Sequence, residues 1–130
     1  MGQQQLLLII LGVIVVGIAI AVGISQFSAH STQANKDGVT SSLVNVAANA
    51  YQFRIRPTTM GGGGGAYNGG TSPGYVIPSR MASDDNGTYT VNSVAAATIV
   101  FQGVSSLNAS YTALCTCDSL GNTTLAFTGW

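Results

Sequence analysis

From Leu6 to Ile24 the chain runs LLLIILGVIVVGIAIAVGI, nineteen residues without one polar side chain. As a helix this stretch covers about 28 Å at ~1.5 Å per residue, enough to cross the hydrocarbon core of a bilayer. A secretory signal would show a basic leading segment, a shorter apolar region and a small-x-small cleavage site. No Lys or Arg precedes Lys36, and no clean Ala-x-Ala stop closes the run. The run therefore reads as an anchor that is kept. Its orientation is not set by flanking cations, because the N-terminal side has none. Gly12, Gly17 and Gly23 are spread along it, and Gly17 with Ala21 and Ala19 with Gly23 form small-xxx-small pairs. Such spacing lets helices approach closely in an apolar medium.

The helical pattern continues beyond Ile24 in a different form. Phe27 and Ala34 are followed by Val39, Leu43, Val46, Ala50 and Phe53, a one-faced stripe with Ser, Thr, Asn and Gln elsewhere. Pro57 ends it, because proline offers no amide hydrogen and clashes with the preceding turn. One helix from about Gln3 to Arg56 is expected. The weak point is Asn35-Lys36-Asp37-Gly38, where Asp37 has the chemistry to cap a second helix; a bend is expected there more than a break.

After Pro57 come five consecutive glycines, Gly61–Gly65. A phosphate-cradling loop would be followed by Lys-Ser/Thr and a helix, and neither is present. The stretch reads as a flexible connection whose glycines also let it lie close to a neighbouring backbone. Beyond Arg80 the chain reads as an antiparallel meander. Strands are expected over 88–92, 96–102, 110–117 and 123–128, with turns at Asp84–Thr88, near Ser93, at Ser105–Asn108 and at Leu120–Asn122. A sheet this small with one apolar face is not stable alone, and the stripe from Val39 to Phe53 is its partner. The expected fold is thus α+β. It has a hydrophobic stalk (1–27), an amphipathic continuation (28–56), a glycine-rich loop (57–80) and a β-meander head (81–130).

Composition narrows the function. Of 130 residues 46% are hydrophobic and only 6% charged, with no glutamate and no net charge. No field exists to steer nucleic acid or a charged substrate, so nucleic acid is not expected as the main partner. Catalysis is not expected either. His30 has no assignable nucleophile or carboxylate partner, Asp84 and Asp85 read as turn formers, and no Gly-x-Ser-x-Gly elbow occurs. No cofactor is expected. Cys115 and Cys117 are the only cysteines, too few with one histidine for a metal site. On a strand they share a face, and buried free thiols and a disulfide both remain open. Asn86, Asn108 and Asn122 begin Asn-x-Ser/Thr sequons, candidate glycosylation positions about as frequent as chance allows. Arg54 and Arg56 sit where cations favour a helix C-terminus.

An apolar helix of this length, an amphipathic continuation and a small C-terminal β-domain together resemble the type IV pilin family. The stretch GQQQLLLIILGVIVVGIAIAVGI, the Asn-Lys-Asp-Gly segment and Arg56-Pro57 before the glycine run resemble a group of small bacterial pilin-like proteins. The resemblance covers about the first half of the chain. It implies a structural subunit held first in the inner membrane and acted on by a prepilin peptidase and the pilus assembly machinery. The subunit then polymerises with itself into an extracellular filament, stalks inside and heads outside. The alternatives are a minor pilin or pseudopilin, and a monomeric single-pass membrane protein with a small binding domain. Relatives carry a glutamate as the fifth residue of the mature chain. Here that position is Gln5, or Leu7 if cleavage follows Gly2, and the amides of Gln3, Gln4 and Gln5 are expected to replace a charge pair by hydrogen bonds.

Overall fold

In a computed structural model the described residues are 2–70 and 74–130. Met1 of the expected stalk and residues 71–73 of the expected glycine-rich loop lie outside them. The architecture is α+β: one long helix, α1 (Gly2–Ile55), and a four-stranded antiparallel sheet. The strands are β1 (Gly87–Val94), β2 (Ile99–Ser105), β3 (Thr112–Cys117) and β4 (Thr123–Thr128), ordered β1-β2-β3-β4. The chain divides into two compact units, Met1–Gln33 and Ala34–Trp130. The first is helical throughout its described residues and buries none of them. Residues 28–33 belong to this first unit, and none of their side chains is buried.

In the second unit α1 lies on the sheet through Val39, Leu43, Val46, Ala47 and Ala50, each at most 1% exposed. Opposite them are Tyr89 of β1, Ile99 and Phe101 of β2, and Ala113, Cys115 and Cys117 of β3. The alternation of the strands places these residues on one face, with burial repeating every second position along β2 and β3. Phe53 is half-buried and meets Tyr75 edge-on at 5.6 Å. Phe27 and Ala34, which share the apolar periodicity, are exposed. The stripe proper therefore begins at Val39.

The Asn35–Gly38 segment neither breaks the helix nor starts a second one; α1 runs through it. Tertiary contacts explain its composition. Asn35 is buried, donating from Nδ2 to the Asn86 carbonyl at 2.9 Å and accepting from Ser105 Oγ. A Cβ at position 38 would lie 2.5 Å from the Asn86 side chain, so only glycine lets that amide seat on the helix.

The glycine run is a second departure. It does not hang free: Gly63, Gly64 and Gly65 donate to the carbonyls of Phe53, Arg56 and Arg54 at 2.8, 2.9 and 2.7 Å. These close the C-terminal carbonyls that every helix leaves open. Pro57 stops α1 and leads into a short 3-10 turn, Thr58–Met60. At Gly63 a Cβ would meet the Ala66 carbonyl oxygen at 1.9 Å, which demands glycine at that contact.

β4 occupies the expected 123–128 span, whereas β1 and β2 differ. β1 passes through the turn expected near Ser93, taking up one extra residue as a register shift between Val91 and Ser93. The turn falls at Ala95–Thr98, so β2 begins at Ile99 and extends to Ser105. The expected 110–117 strand begins at Thr112.

Asp84 does more than form a turn. Its carboxylate accepts from the Asn86 and Gly87 amides at 2.9 and 3.0 Å, from Tyr89 OH at 2.9 Å, and from Ser42 Oγ on α1. Partial burial alone would raise its pKa, but the bonds from Ser42, Tyr89, Gly87 and Asn86 prevail and hold it below the ordinary carboxylate value. A carboxylate lowered on folding contributes stability above its unfolded pKa, and that contribution fades as pH falls through the folded value. Asp84→Ala is expected to cost about 1 kcal/mol at neutral pH, discounted for the residue's exposure. In chemical denaturation of the full chain in detergent, the gap between parent and variant should close below about pH 4. A gap that stays constant into acid would assign the loss to packing instead.

Candidate functional site

The residues that most need a partner are those of the apolar run. The aliphatic side chains from Leu6 to Ile24 are between 53% and 68% exposed, and no face of the helix is covered. By length and composition the segment is sufficient to cross a membrane, its most apolar window having mean hydropathy 3.2 with nothing buried. A helix apolar all round has two stable surroundings, lipid or other such helices.

The small residues locate where a second helix would come closest. At Gly12, Gly17 and Gly23 a built Cβ meets nothing within 4 Å. No contact among the described residues therefore requires glycine at these positions, although each one lowers helix propensity by about 1 kcal/mol relative to Ala. Ala19 and Ala21 are exposed beside them. In the first turn Gln3, Gln4 and Gln5 are exposed and no acidic residue is present, so the amide hydrogens of the helix start have only neutral side chains close by. Each glutamine amide donates and accepts, the chemistry needed for bonds between adjacent helices.

The remaining candidates fall elsewhere. His30 is exposed on the first unit. Cys115 and Cys117 are free thiols, both fully buried under the helix. Burial, then the neighbouring Cys117, pushes the Cys115 thiol up to about 11. Burial also raises Cys117, with its contact to Tyr67 acting in the opposite sense. Tyr67 OH donates to the Asp118 carbonyl at 2.6 Å and lies 3.0 Å from Cys117 Sγ, fixing the residue in the core. Protonated, enclosed thiols are poor nucleophiles. Among the described residues no group of His, Cys, Asp or Glu is placed to hold a metal.

The sequon residues differ in access. Asn108 and Asn122 are exposed, each within its own turn network. Asn86 is half-buried, with its amide group seated over Gly38. Arg54 lies over Tyr67 at 5.6 Å, and Arg56 is exposed. Asn35 and Asp84 are the tethers that sequence reasoning missed. In the sequence Asn35 read as part of a weak point in the helix and Asp84 as a turn former. Compared with protein-family models, curated proteins and solved structures, the chain has no match.

Two outcomes are expected. Replacing Gly17 by Leu strengthens helix propensity while filling the space at the small-residue pair. Energy transfer between labelled full-length copies in lipid vesicles should fall several-fold, with the circular dichroism unchanged; an unaltered signal would mean that helices do not meet at Gly17. Native full-length protein should react with iodoacetamide at Cys115 and Cys117 at least about a hundredfold more slowly than the denatured chain. Equal rates would contradict their burial.

Proposed function

We propose that this chain is the structural subunit of a surface filament of the type IV pilin kind, polymerising through its apolar helix. The observation that carries the reading is the uncovered run from Leu6 to Ile24, continuous in one helix with a stripe that is fully committed to the sheet. Among the described residues none of the run is buried, so its partners are lipid before assembly and like helices after it. Exchange of one apolar surrounding for another involves little change in hydration, which makes passage from membrane to helical bundle energetically shallow. The open space at Gly12, Gly17 and Gly23 supports close packing in the bundle. The first-turn glutamines supply hydrogen bonds between subunits in place of a carboxylate–amine pair. The neutral head, rich in Ser, Thr and Asn, suits repeated side-by-side display without charge repulsion.

Material sheared from cells that make the chain should contain thin filaments in which it is the dominant protein. Recovery of all of it in detergent-extracted membrane, with none in sheared filaments, would replace this reading with a single-pass membrane protein. Its presence as a trace component of filaments built from another subunit would make it a minor pilin.

A further inference from the structure

The sheet has two open edges, and their chemistry is complementary. β4 is an edge strand with no partner beyond β3, its register is unbroken, and Thr-Thr-Leu-Ala-Phe-Thr contains no charge and no proline. Lys36 of α1 lies over Phe127 at 4.4 Å, and the strand itself carries no charge, proline or bulge against strand addition. At the other edge β1 is covered only in its first half: Ser83 bridges Thr88, and the Tyr89 amide donates to the Ala82 carbonyl at 2.7 Å. Among the described residues, Val91, Asn92 and Ser93 make no backbone hydrogen bond outside the sheet ladder. Beside this uncovered stretch lies an open groove of about 480 Å³, bounded by Val91 and Val94 on one side and Tyr75 and Ile77 on the other, with no charged residue in its lining.

We propose that the β4 edge of one copy adds to the open half of β1 on a second copy, continuing the sheet from head to head. Strand direction makes this possible without inverting either molecule. Each neighbouring pair of strands is antiparallel, so β1 and β4 of one head run in opposite senses. Two copies in the same orientation therefore bring β4 against β1 as an antiparallel pair. The register places Leu125 on the face of Val91, through Phe101 and Cys115, and Phe127 on the face of Tyr89. Leu125 of the added strand thus faces the apolar groove, Phe127 stays under its own Lys36 and beside Trp130, and Thr124 and Ala126 continue the outer surface. The contact is head-to-tail, leaves a fresh edge at each end and propagates without closing. It rests on the filament reading only in needing neighbours of common orientation, which one membrane face supplies equally.

The test uses full-length single variants co-expressed in pairs: Asn92→Cys with Thr124→Cys, or Asn92→Cys with Ala126→Cys. Protection of Cys115 and Cys117 from alkylation verifies that each variant is folded. Mild oxidation of membranes and of sheared material should yield disulfide-linked dimers joining position 92 to position 124 or 126, several-fold above any single variant or the parent. Absence of those dimers in both fractions overturns the contact. Equal yields from a single β4 variant alone would also overturn it, by showing two-fold pairing of β4 with itself. Filaments without the link leave the filament reading intact and remove this contact; the link in membranes without filaments does the reverse.

Discussion

A four-stranded sheet of this size has one apolar face and too little else to hold it in water. Closing that face with the helical stripe of Val39, Leu43, Val46, Ala47 and Ala50 is the interaction on which the head depends. Three tyrosines complete the enclosure: Tyr67, Tyr75 and Tyr89 are at most 4% exposed. Each hydroxyl has a defined acceptor, in the Asp118 carbonyl, Asn49 Oδ1 and the Asp84 carboxylate respectively. A buried tyrosine without such an acceptor would carry the desolvation cost of its hydroxyl. Their acceptors tie loop to turn, loop to helix and strand to turn, so the same side chains fill the core and order its rim.

The helix is held on the sheet by polar contacts as well as by the apolar stripe. Asn35 binds the Asn86 carbonyl and Ser105, Ser42 reaches Asp84, and the glycine run closes the carbonyls beyond Phe53. Burial alone is non-directional and would allow the helix to slide along the sheet. Hydrogen bonds of fixed partner remove that freedom. At the C-terminus Trp130 folds back, donating to the Thr112 carbonyl at 2.9 Å and stacking on Tyr111 at 5.1 Å, which anchors the chain after β4.

The same helix thus presents two kinds of apolar surface. One is a stripe buried against the sheet, and the other is a full cylinder that is exposed among the described residues. Mutations in the stripe should act on the stability of the head, whereas mutations in the run should act on its surroundings.

The helix, its stop at Pro57, the partner stripe and β4 were legible in the sequence, because each depends on local periodicity or on one residue's backbone chemistry. The bulge that carries β1 past Ser93 was not legible, since it is decided by pairing with β2. Asn35 and Gly38 read locally as a helix interruption; only their contacts with Asn86 and Ser105 make them a docking point. The five glycines read as a flexible connection, and the carbonyls they close belong to residues up to eleven positions earlier in the chain. By itself the sequence determined that an uncharged, wholly apolar run calls for an apolar surrounding, because hydrophobicity is a property of composition and period. Only the tertiary structure decided which polar residues lock the head and which strand edges stay open, because those are properties of what long-range pairing brings together and what it leaves uncovered.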